Sequence, residues 1–157
     1  MSSSDQAPGR IVVGVDGSPS SSAALAWAVR QAGLTGASVE AVIAWHAPAM
    51  SGAAPFGPGV LENWDYGEWA ASALTHVIKQ TVDPDGPVRV SATVREGNVA
   101  QVLLEAANGA DLLVVGNRGH GGFAEALLGS VGQACAHHAQ CPVVIVRDLK
   151  PAGAEDR

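Results

Sequence analysis

The chain has 157 residues, 47% of them hydrophobic and 15% charged, against a usual charged share of about 25%. That length suits one domain, which at this size buries roughly 70% of the surface its unfolded chain exposes and needs no metal or disulfide staple. The net charge is −6, with nine Lys plus Arg. No basic stripe is therefore available for a nucleic-acid backbone, and nucleic acid is excluded as the expected partner.

Arg10 to Val15 is a continuous apolar run, as in a strand buried on both faces. Asp16-Gly17-Ser18-Pro19 breaks it, with Ser18 as N-cap and Pro19 at the first helical position of a helix reaching about Gly33. Val39 to Trp45 reads as a second strand, and the segment from Leu61 to Val82 contains a helix. Val88 to Val94 is a third strand, and Asn98 caps a short helix over Val99 to Ala107. Asp111 to Gly116 is a fourth strand, a helix follows around Gly122 to Ala139, and Pro142 to Arg147 closes the set. Five apolar strands alternating with four helices predict an α/β fold, a doubly wound five-stranded parallel sheet covered on both faces.

Pro48 to Gly59, rich in Pro, Gly and Ala, reads as a loop. Residues 1–9 and 149–157 read as tails around a domain over 10–148. Trp64, Tyr66 and Trp69 read as a satellite core beside the loop. No apolar stretch approaches the ~18 residues of a membrane span, and Met1 to Arg10 lacks a signal-peptide run, so a cytoplasmic protein without a membrane partner is expected.

Ligands of such sheets bind beyond the carboxyl ends of the strands where chain order reverses, here between the first and fourth strands. Those ends carry Gly14-Val15-Asp16-Gly17-Ser18 and Gly116-Asn117-Arg118-Gly119-His120-Gly121-Gly122, the second followed by Gly129-Ser130-Val131. Exposed N–H groups of a Gly-rich loop beside a helix start favour phosphate, and the Ser130 hydroxyl can donate to a phosphate oxygen. Gly129-Ser130 falls within the predicted helix. No Walker A loop occurs, and the first strand lacks the Gly-x-Gly-x-x-Gly fingerprint of dinucleotide domains.

Val13-Gly14-Val15-Asp16-Gly17-Ser18, the Gly116-x2-Gly119-x9-Gly129-Ser130 spacing and Cys141-Pro142-Val143-Val144-Ile145-Val146 together resemble the universal stress protein family in its ATP-binding branch. The resemblance implies a Rossmann-like, adenine-nucleotide alpha-hydrolase-like fold and a homodimer through Pro142 to Arg147. It also implies ATP at a site of Gly14, Asp16, Ala44, Val115, Gly116, Asn117, Arg118, Gly119, Gly129, Ser130 and Val131, with Gly122 helping the loop turn. Asn117 stands where the family often has Ser, and an amide can still donate. Cyclic AMP would present the same adenine and phosphate.

Asp16 has two readings, a Mg²⁺ ligand alongside the phosphates or the cap of the turn into the first helix. Cys135, His137, His138 and Cys141 do not share a helix face and are not read as a metal set. Binding and a stress-response switch are the expected function. A slow Mg-dependent ATP hydrolase and a dimerisation module with a vestigial pocket are the alternatives, the first lacking an evident general base.

Overall fold

The computed structural model describes residues 8–46, 65–118 and 129–148. In chain order the elements are β1 (Arg10–Gly14), α1 (Pro19–Thr35), β2 (Ser38–Trp45), α2 (Tyr66–Thr81), β3 (Val90–Glu96), α3 (Val99–Ala106), β4 (Leu112–Gly116), α4 (Ser130–His138) and β5 (Val143–Val146). The sheet order is β3-β2-β1-β4-β5 with every pair parallel, so the predicted Rossmann-like α/β fold is the observed one. The loop expected at Pro48–Gly59, Trp64, Gly119, Gly122 and the segments 1–7 and 149–157 lie outside the described residues.

The two-residue period of the strands sorts the core into two layers. Ile11 and Val13 face Ala24, Leu25 and Ala28 of α1 and Ala70, Leu74 and Val77 of α2. Val12, Val42, Leu113 and Val115 face Val102, Leu103 and Ala106 of α3 and Cys135 of α4. Burial on both sides explains why the central strands carry unbroken apolar runs: Val12, Val13, Leu113 and Val114 are all 0% exposed.

The edge strands follow different rules. The run Val88 to Val94 predicted β3 two residues too early, because Ser91, Ala92, Arg95 and Glu96 are exposed on an edge strand that needs no continuous apolar sequence. At the other edge, all four residues of β5 are half-buried. Arg10 knits the amino-terminal end of the sheet: its guanidinium donates to Glu40 Oε1 at 2.8 Å and to the carbonyls of Ala106 and Asn108 at 2.8 and 2.9 Å. Thr93 completes the Glu40 carboxylate by donating to Oε2 at 2.7 Å.

Helix termini also depart from the pattern-based limits. α1 passes through Gly33 to Thr35 and stops at Gly36, whose φ of 77° makes the left-handed cap. α4 begins at Ser130, with Gly129 as its N-cap at φ −71° and ψ 169°. Gly129 therefore does not lie inside a helix as expected. Its N–H donates to the Asn117 carbonyl at 2.8 Å, engaging the end of β4 rather than a helical carbonyl.

Candidate functional site

The reversal of strand order between β1 and β4 opens a cavity of about 300 Å³ at the carboxyl ends of the strands. It takes Gly14 and Asp16 from the β1 end, Val115, Gly116, Asn117 and Arg118 from the β4 end, and Gly129, Ser130 and Val131 from the start of α4. Nine of the residues predicted from the sequence thus meet around one space.

Ala44 is not on its wall. Gly14, the last residue of β1, pairs with Val42, whereas Ala44 pairs with Arg95 of β3 farther along β2. Val42 and Ala44 share a face of the sheet, but Val42 forms the wall. Val15, Ser21, Val99, Leu103 and Gly132 also line the cavity and were missed. For Val42 the parallel register was the available signal; for Val99, Leu103 and Gly132 it was their place on the inner faces of α3 and α4.

The start of α4 supplies the polar chemistry. Among the described residues no side chain caps this helix. The Gln133 N–H donates to the Gly129 carbonyl at 3.0 Å. The amides of Ser130, Val131 and Gly132 have no intrahelical acceptor by helix geometry, and all three residues are on the cavity wall. Their N–H groups and the helix dipole favour an anion. Asn117, 9% exposed, adds an Oδ1 that is buried without a hydrogen-bond partner among the described residues.

Asp16 is the one carboxylate among the lining residues described. Its Oδ1 accepts from the Ser18 N–H at 2.9 Å, the geometry of a turn cap. Ser18 in turn caps α1, accepting from the Ser21 N–H at 3.2 Å, and Ser21 Oγ accepts from the Asp16 N–H at 3.2 Å.

The glycines at the strand ends make room for protein before they make room for a ligand. A Cβ on Gly116 would lie 2.5 Å from Ser20 Oγ and 2.7 Å from the Ser20 carbonyl carbon. One on Gly14 would lie 2.8 Å from a methyl of Leu103. Gly116 is thus required by the approach of α1 to β4.

The aromatic residues lie elsewhere. Tyr66 stacks on Trp45 with centroids 6.3 Å apart, and Trp45 packs in the α1/α2 layer, across the sheet from the cavity. Trp69 is 56% exposed and is no part of the expected satellite core. Cys135 is fully buried under α4, whereas His137 and His138 at its end are exposed. Burial first, and the nearby Cys141 second, push the Cys135 thiol up to about 11.

The universal stress protein family model matches residues 8–147, nearly the whole described domain. The chain belongs to the universal stress protein family. A universal stress protein of Mycolicibacterium smegmatis is 34% identical over 157 aligned residues, covering 94% of this chain and 51% of that protein. The chain spans about half the length of such relatives. Among solved structures, a universal stress protein in complex with cAMP superposes with a TM-score of 0.67 at 28% identity, covering 92% of this chain and all of that one. A family protein from Arabidopsis thaliana with AMP bound shares the fold, at TM-score 0.59 and 20% identity over 95% of this chain and 100% of its own. Structures of the family thus include adenine-nucleotide complexes.

Proposed function

We propose that this universal stress protein binds an adenine nucleotide, with ATP as its ligand, and serves as a nucleotide-dependent stress-response switch in the cytoplasm. The observation that carries the reading is the uncapped start of α4, whose Ser130, Val131 and Gly132 amides line a cavity at the switch point. The apolar walls from Val42, Leu103 and Val115 suit a base, and the buried Asn117 Oδ1 suits a hydrogen-bond donor on the ligand. The cAMP complex of a relative 28% identical supports the ligand class.

Thermal melts with ATP, AMP, cyclic AMP and GTP test it. A ligand at 100 times its dissociation constant stabilises the fold by about 2.7 kcal/mol. No shift with any adenine nucleotide, and none released from the purified protein, refutes the reading.

Binding without rapid turnover is the expected behaviour. Asp16 spends one carboxylate oxygen on the Ser18 N–H, so a Mg²⁺ ion bound with ATP would rely mainly on phosphate oxygens and water. The hydrolase alternative requires phosphate release with Mg²⁺ that Asp16→Ala abolishes. Homodimerisation through β5 and its flanks, Pro142 to Arg147, is the proposed assembly. Its support is that β5 pairs only with β4 among the described residues and keeps all four apolar side chains half-buried.

A further inference from the structure

The geometry points to Ser20 as a positioning residue of the nucleotide site, one that sets the anion-facing start of α4 without touching the ligand. This inference rests on the nucleotide reading and adds a residue to it. Ser20 is 3% exposed and is absent from the cavity wall. Its hydroxyl donates to the Arg118 carbonyl and accepts from the Arg118 N–H at 3.4 Å, holding both ends of one residue's backbone. Ser18 Oγ adds a second, longer bond of 3.3 Å to the same carbonyl.

What Ser20 holds is the junction between β4 and the start of α4. Asn117, one residue earlier, accepts from the Gly129 N–H at 2.8 Å and donates its own N–H to the Val146 carbonyl at 2.9 Å. Gly129 is the N-cap from which the α4 amides that lack an intrahelical acceptor follow. The path from Ser20 to those amides is therefore continuous: hydroxyl to Arg118, peptide bond to Asn117, hydrogen bond to Gly129, then the helix start. Gly116 makes the path possible by letting Ser20 approach, since a Cβ there would meet the Ser20 backbone.

A positional role of this kind has a selective signature. The base is held by the walls at Val42, Leu103 and Val115, which the clamp does not fix. The phosphate is held by the amides, which it does. Loss of the hydroxyl must therefore weaken nucleotides and spare the nucleoside.

The experiment compares wild type, Ser20→Ala and Ser20→Gly by calorimetric titration with ATP, AMP and adenosine, with melting of the ligand-free proteins as the check on folding. Both variants are expected to bind ATP and AMP about 5- to 10-fold more weakly, as one lost hydrogen bond implies, with adenosine within about two-fold of wild type. Unchanged AMP affinity in either folded variant overturns the inference, and so does an equal loss for AMP and adenosine. A wild type that binds no adenine nucleotide overturns the nucleotide reading as well; wild-type binding with unaltered variants overturns the clamp alone.

Discussion

Replacing Gly116 by alanine places a methyl group 2.5 Å from Ser20 Oγ, 2.9 Å from Ser20 Cβ and 2.7 Å from the Ser20 carbonyl carbon. The last contact is with backbone, so no change of rotamer relieves it. The first turn of α1 must retreat from β4 by about 0.7 Å to restore ordinary van der Waals separation. β4 cannot give way instead without disturbing Leu113 and Val114, both 0% exposed. Overpacking of this kind costs about 1–3 kcal/mol. At about 2–4 °C per kcal/mol for a domain near this size, calorimetry should record a melting temperature lower by about 4–8 °C for a mid-range cost. Gly14→Ala is the internal control, because the atoms nearest its new methyl all belong to the side chain of Leu103, which can turn aside at smaller cost. A Gly116→Ala protein that melts within about 1 °C of wild type, or that loses less than Gly14→Ala, refutes the packing argument.

Four further outcomes follow from the same geometry. Ser130→Pro removes one amide from the start of α4 at a position where proline suits the helix and where the extended Gly129 before it is compatible; it should weaken AMP about ten-fold beyond Ser130→Ala, which loses only the hydroxyl, and equal affinities in titration would mean that the amide holds no phosphate. Cys135, whose thiol is pushed from 9.0 up to about 11, favours the neutral thiol in the fold; the stability this contributes is full below pH 9 and is lost as pH rises towards 11, so denaturant midpoints should fall across that window and Cys135→Ala should flatten the fall. Arg10→Met removes the donor to Glu40, Ala106 and Asn108 and should cost about 2 kcal/mol in urea unfolding, less than a fully buried pair because both partners are partly exposed. Ile145→Glu puts a charge on β5, and sedimentation should show a monomer where the wild type is a dimer; a monomeric wild type at micromolar concentration refutes the proposed assembly.

The sheet was legible because its central strands are buried on both faces and so announce themselves as apolar runs, and because Ser18, Pro19 and Asn98 mark helix starts by chemistry that depends only on neighbours. β3 was displaced because an edge strand with Ser91 and Arg95 obeys the apolar-run rule poorly. The site was legible to the extent that it lies where β1 and β4 part, which strand order alone determines. Val42, Leu103 and Gly132 were not, because their membership depends on register and on how α3 and α4 lie over the sheet. The role of Gly116 was also out of reach: its partner, Ser20, lies 96 positions earlier, and no local pattern relates a glycine to a helix it must admit.

The serines of α1 carry a thermodynamic consequence of their own. Ser20, Ser21 and Ser22 are consecutive in its first turn, and serine is a weaker helix former than alanine by roughly half a kcal/mol per residue. Ser20 and Ser21 nevertheless spend their hydroxyls on Arg118 and Asp16, outside the helix. Ser20→Ala therefore acts on two quantities with opposite sign: it removes an anchor of the site while improving the helix that carried it. Melting temperature and ligand affinity need not move together at this position. A lost hydrogen bond costs about 0.5–1.5 kcal/mol, so the gain in helix propensity offsets only part of the fall in melting temperature, while nucleotide affinity carries its loss in full.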